Sequence, residues 1–147
     1  MVSILNKLSS LVLEGLVKVM REKQQLSFKQ AVVRQTIYYV SKQLPPEETD
    51  NGERCFIFLA NQWLEQPTEE NAKKARTAVV FDCVDGGVRY FDYSEYFHAP
   101  AWAAGSSTYG ATQSALTASG NDSRAAYQWQ ITAAWAILNN QEPPLLK

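Results

Sequence analysis

A chain of 147 residues is close to the size at which one hydrophobic core is most comfortable, so a single domain over 1–147 is expected. Fourteen basic against fifteen acidic side chains leave a net charge of −1, whereas a dedicated nucleic-acid binder carries a basic excess, so no nucleic-acid partner is expected. Two cysteines exclude a disulfide framework, and one histidine excludes a histidine-rich metal site.

Four Trp, seven Tyr and six Phe supply enough apolar surface to offset chain entropy, which argues against disorder over the whole length. Lys7, Glu14 and Lys18 interrupt the apolar N-terminus, so no run of 18 apolar residues exists and no spanning helix is expected. A signal peptide would need a basic start, an unbroken apolar centre and a small-residue cleavage site, none of which is present. The expectation is a cytoplasmic protein with Cys55 and Cys83 reduced. Charge is polarised along the chain. Residues 1–44 hold seven basic and two acidic side chains, and 45–147 hold seven and thirteen. Complementary solvated faces within one domain account for this; a surface that steers a charged partner is the sharper reading.

In chain order, residues 1–23 read as one helix. Met1, Ile4, Leu5, Leu8, Leu11, Val12, Leu16, Val19 and Met20 recur at helical spacing. Val2, Leu13 and Val17 widen the stripe, so the helix is expected to touch neighbours on two sides. Core packing is preferred over an amphipathic membrane-surface helix. A second helix is expected from Ser27, where Ser27 and Gln30 fit a capping box, to Pro45-Pro46. The acidic stretch 45–52 reads as a loop. A third helix spans 53–66 and packs Phe56, Leu59, Ala60 and Trp63. Thr68 caps a fourth, whose first turn carries Glu69 and Glu70 and whose Lys73, Lys74 and Arg76 are expected to be solvated.

Two readings of 79–93 stand. Asp85-Gly86 between apolar runs is a hairpin signal, and a helix continuing to Cys83 with Gly86 as its C-cap uses the same glycines. The helix is favoured, because a lone two-stranded hairpin is marginal. Residues 99–119 hold sixteen Ala, Gly, Ser or Thr among 21, with Pro100 suited to a first helical turn. They read as one buried central helix with Trp102, Ser106, Tyr109, Gln113 and Leu116 on a common face. The last helix starts near Asp122 and stops at Asn139-Asn140, with two apolar stripes that include Trp129 and Trp135. The expected fold is all-α, a compact bundle of about six helices, with room for one small β-hairpin at 79–93.

No phosphate-binding loop, dinucleotide fingerprint, nucleophile elbow or zinc-protease motif occurs, and no cofactor is expected. His98 is the one conventional general base, with Asp92 and Glu95 near in sequence, although a lone histidine beside a helix start is more often structural. Cys55 and Cys83 lie in apolar runs and are expected to be buried, inert packing residues. No metal site is expected: Asp82-x-x-Asp85-Gly86-Gly87 lacks the one, three, five ligand spacing of a calcium loop. Asp82, Asp85, Asp92 and Glu95 form an acidic cluster with Tyr93 and Tyr96 interleaved, the pattern expected of a face that docks on a basic partner.

The order Trp63-Leu64-Glu65-Gln66-Pro67-Thr68-Glu69-Glu70, then Ala72, Ala75, Arg76 and Ala78, then Ala101-Trp102-Ala103-Ala104 with Tyr109 and Ala111, resembles the all-helical immunity proteins of bacterial polymorphic-toxin systems. The resemblance covers about residues 55–138 and rests on Ala-rich motifs. Residues 78–93 depart from it, being aromatic and acidic where alanine is expected. It implies a non-enzymatic inhibitor that blocks a nuclease toxin, and no family binding residue carries over. The expected class is therefore a protein-interaction module with a protein partner, such as a basic toxin. The rival is a small enzyme or ligand-binding protein around His98, Trp102 and Tyr109. The excess apolar surface of the first and last helices further predicts a homodimer.

Overall fold

The computed structural model describes residues 2–43, 53–85 and 94–146, with side chains described for all of these except 2, 3, 5, 53, 54, 80–85 and 94–96. Among the described residues the chain forms seven α-helices and no strand: α1 (Val2–Lys18), α2 (Glu22–Ser41), α3 (Glu53–Glu65), α4 (Glu69–Asp85), α5 (Ser94–Gly105), α6 (Thr108–Ser119) and α7 (Ser123–Leu138). The all-α bundle is as expected. Residues 79–85 continue α4, so the first arm of the hairpin is helix; residues 86–93 lie outside the described residues.

The expected first helix stops short, because two helices meet where one was read. Met20 N–H closes the end of α1 on the Val17 carbonyl at 3.1 Å, and Arg21 N–H donates to Gln24 Oε1 at 2.9 Å. Gln24 thus satisfies an orphan amide from inside the first turn of α2, which begins five residues before Ser27. Ser27 is exposed within that helix rather than capping it. The Thr68 cap is present, with Asn71 N–H donating to Thr68 Oγ1 at 3.2 Å.

The small-residue stretch also divides. Pro100 is not in a first turn; it stands seventh in α5, fully buried. One missing amide is tolerated there because its loss comes a single turn after the helix's own unbonded N–H groups. The helix ends at Gly105, where Ser106 Oγ donates back to the Trp102 carbonyl at 2.6 Å. Ser107 Oγ then accepts from Gly110 N–H at 3.1 Å and starts α6. Serine hydroxyls competing for the backbone split what the small side chains alone would have left continuous. Asp122 stands at the start of α7 as expected, without a side-chain cap bond. At the other end Asn140 adopts φ 57°, Asn140 N–H bonds the Ile137 carbonyl at 3.0 Å, and Gln141 N–H bonds the Ala136 carbonyl at 2.8 Å. This is a Schellman stop, with asparagine in the left-handed position.

α5 is the axle of the bundle and packs on α2, α3, α4 and α6. Ala99, Ala101, Ala103 and Ala104 are all buried, and their small side chains let four helices approach one. Phe28, Val32, Val33 and Val40 of α2 fill the space alongside, and Phe56 and Trp63 close the α3 side. α1 is peripheral: it lies against α7 and meets α6 along one edge.

Candidate functional site

The acidic cluster falls where its geometry is not described. Asp82 and Asp85 belong to the last turn of α4 and Glu95 and Tyr96 to the first turn of α5, but their side chains are outside the described residues, as are Asp92 and Tyr93 altogether. The other three candidates have unlike surroundings. His98 is buried in α5, its ring edge-on to Phe56 of α3 with centroids 4.4 Å apart. Trp102, one turn on, is 42% exposed. Tyr109 on α6 pairs its hydroxyl with Ser10 Oγ of α1 at 2.6 Å. His98 is therefore a packing residue within α5, and Tyr109 is a strut that holds α1 to the bundle.

A groove of about 530 Å³ opens between α3 and α4, lined among others by Cys55, Phe56, Lys73, Lys74 and Thr77. Cys55 is exposed, contrary to the burial its apolar neighbours suggest, because α3 turns Phe56 and Ala60 inward and leaves position 55 on the solvent side. No group of three or more potential metal ligands occurs among the described residues.

The strongest electrostatic construction lies at the C-terminus of α5. Lys29 Nζ donates to the Ala104 carbonyl at 2.9 Å and stands 4.4 Å from the centroid of the Trp63 ring. Arg76 donates from one guanidinium nitrogen to the Gly105 carbonyl at 2.8 Å and from the other to Glu69 Oε1 at 2.6 Å. Two cations from α2 and α4 thus satisfy the end carbonyls of α5, where the helix dipole is negative. Burial pulls the Lys29 ammonium down to about 8, opposed by Glu69 and reinforced by Arg76. The Arg76 hydrogen bond, and then its charge, lowers the Glu69 pKa. Arg76 is no solvated residue, as sequence spacing had suggested; it is half-buried at a helix junction. This arrangement is a structural clamp that joins α2 and α4 to the end of α5.

What the fold leaves open is the outward side of α1. Ile4, Leu8, Leu11, Val12 and Val19 are exposed at 59, 55, 65, 49 and 68%. Gly15 sits among them, and a Cβ built on it meets nothing within 4 Å. The buried side uses Leu13, Leu16 and Val17 of the same helix and Met20 just past its end. The structure divides the stripe read from the sequence: Leu16 and Met20 go inward with the flanking Leu13 and Val17, and Ile4, Leu8, Leu11, Val12 and Val19 stay outside. Flanking charges are of both signs, with Lys18 Nζ 3.4 Å from Glu14 Oε1. No helix among the described residues is long and apolar enough to cross a membrane. Compared with known proteins, the chain matches no family model, no curated sequence and no solved structure.

Proposed function

We propose that the chain is a non-catalytic protein-interaction module whose docking face is the outward side of α1. The observation that carries this is the row of five aliphatic side chains, each about half exposed or more, four on α1 and Val19 directly after its end, on a helix held to the bundle from behind. A lone exposed leucine needs no explanation, but a contiguous ridge on one helix costs solvation free energy and is retained where a partner covers it. The rival small-ligand reading draws less support, since His98 is packed on Phe56 and Tyr109 is engaged by Ser10. The narrower role of toxin inhibitor rests on the resemblance and on the acidic composition of 82–95, with a basic protein as its partner. The test is a photo-reactive phenylalanine analogue at position 11, irradiated in the source cell, with the exposed position 128 of α7 as control. Crosslinking to a polypeptide from 11 and not from 128 is expected. Labelling of lipid alone, or of nothing, would overturn the reading.

A further inference from the structure

We infer that the outward side of α1 pairs with the same face of a second copy of this chain, in an antiparallel arrangement about a two-fold axis. The inference rests on the reading of α1 as a docking surface and names its occupant. The first argument is the order of residues along the ridge. The exposed aliphatic positions 4, 8, 11, 12 and 19, taken with the exposed Gly15, are symmetric about the midpoint between Leu11 and Val12. An antiparallel pair therefore sets Ile4 opposite Val19, brings Leu11 and Val12 to the axis, and lays the Leu8 side chain over Gly15 of the other copy. Gly15 has open space where its Cβ would be, so each copy offers one knob and one matching hollow. A two-fold interface requires this self-complementarity; a groove for an unrelated segment does not.

Area is the second argument. At the exposures given, the five aliphatic side chains present roughly 500–600 Å², about two-thirds of the ~800 Å² per partner of a standard interface, which is the apolar share typical of homodimers. Lys7, Glu14 and Lys18 supply the polar rim. The ridge from 4 to 19 is about 22 Å long at 1.5 Å per residue, enough for four turns of helix against helix.

Charge is the third. The rim carries both signs, and Glu14 is already engaged by Lys18, so the surface selects neither a basic nor an acidic partner. A lipid surface would call for a uniformly cationic rim and aromatic anchors in the stripe, and the ridge has no aromatic residue.

The test uses the purified full chain. Light scattering and sedimentation are expected to give twice the monomer mass of 16.5 kDa at micromolar concentration. Leu11→Glu is expected to raise the dimer dissociation constant by about 100-fold or more, through a charge buried at the axis. Circular dichroism of that variant should match the parent, because Leu11 is on the solvent side. Leu145→Glu, at a position 83% exposed and off α1, should leave the dimer intact. A dimer that Leu11→Glu does not weaken would overturn the proposal. So would a monomer at all concentrations, and then two further results separate the causes. A position-11 crosslink in cells to a different polypeptide keeps the docking surface and rejects the second copy. Binding to phosphatidylcholine–phosphatidylglycerol vesicles, abolished by Leu11→Glu, rejects both.

Discussion

Gln130 Nε2 on α7 donates to Gln35 Oε1 on α2 across 2.9 Å, and both side chains are wholly removed from solvent. The pair is tied to its surroundings on each side. Gln35 donates to the Ala126 carbonyl at 3.2 Å, and Gln130 also donates to the Thr112 carbonyl of α6 at 3.3 Å. Three helices are thereby registered by amide groups inside an aliphatic core, where an apolar pair would slide with little cost. Gln130 Oε1 has no partner among the described residues, so the pair is not at its electrostatic optimum.

Replacing both members is expected to cost less than the sum of the two single replacements. Gln130→Leu strands the Gln35 oxygen in the core, and Gln35→Leu takes the nearer of two acceptors from Gln130 Nε2; each should cost about 2–3 kcal/mol. The double variant leaves no buried amide behind and should cost clearly less than the two singles together. Urea unfolding of the four proteins measures this, and strictly additive costs would refute the coupling.

Lys29 gives the stability a pH dependence of known sign. Its folded pKa of about 8 lies below the ordinary lysine value of 10.5, so between these values the unfolded chain holds a proton that the folded chain has lost. Stability is therefore expected to rise with pH across that interval, and to be unaffected by this group below it. Because Lys29 keeps partial access to solvent, the gain should be about 1–2 kcal/mol rather than the full amount the shift implies. Lys29→Met keeps the aliphatic stem against Trp63 and lacks the titrating proton. The difference between parent and variant unfolding free energies, followed from pH 7 to 10.5, isolates the effect. Parallel curves would remove it.

Two glycines should respond oppositely to alanine. A Cβ at Gly105 would overlap Arg76 Cγ and stand 3.0 Å from both the Ala72 carbonyl oxygen and the Arg76 nitrogen, so α4 and α5 would have to part. Gly105→Ala is expected to cost about 1–3 kcal/mol. Gly15→Ala fills open space in a helix and should stabilise the isolated monomer by about 0.5–1 kcal/mol. Thermal unfolding monitored by circular dichroism in a Leu11→Glu background, where the chain is monomeric, distinguishes the two. A shift of the same sign in both would contradict the packing described.

Exposure of Cys55 predicts reaction in the native state. In a Cys83→Ser background, a disulfide-exchange chromophore should titrate one thiol without denaturant, and Cys55→Ser should abolish that signal. A thiol that reacts only after unfolding would return Cys55 to the core.

Helix identity and approximate extent were legible where local chemistry acts alone. Thr68 followed by Glu69 and Glu70 starts α4 because a hydroxyl cap and two carboxylates satisfy the same helix end, whatever surrounds it. Asn139-Asn140 stops α7 because asparagine tolerates the left-handed backbone. Chain-local reasoning failed where two local solutions compete. Residues 99–119 could form one helix until Ser106 and Ser107 turned to the backbone, and Gln24 rather than Ser27 satisfied the start of α2.

For the functional surfaces the limit is different in kind. Periodicity shows that α1 has apolar residues almost all round, and it carries no information about which side meets α7. That choice is made by the bundle: Leu13, Leu16, Val17 and Met20 go inward, and Ile4, Leu8, Leu11, Val12 and Val19 remain in water. In the same way Arg76 reads as one more solvated cation beside Lys73 and Lys74 until α5 brings the Gly105 carbonyl to it. The sequence by itself determined that the chain is helical, where most helices break, and that its apolar content exceeds one face per helix. Only tertiary packing decided which face is spent on the core and which is left for a partner, because burial is a property of what a helix lies against, and no residue carries its neighbour in its own spacing.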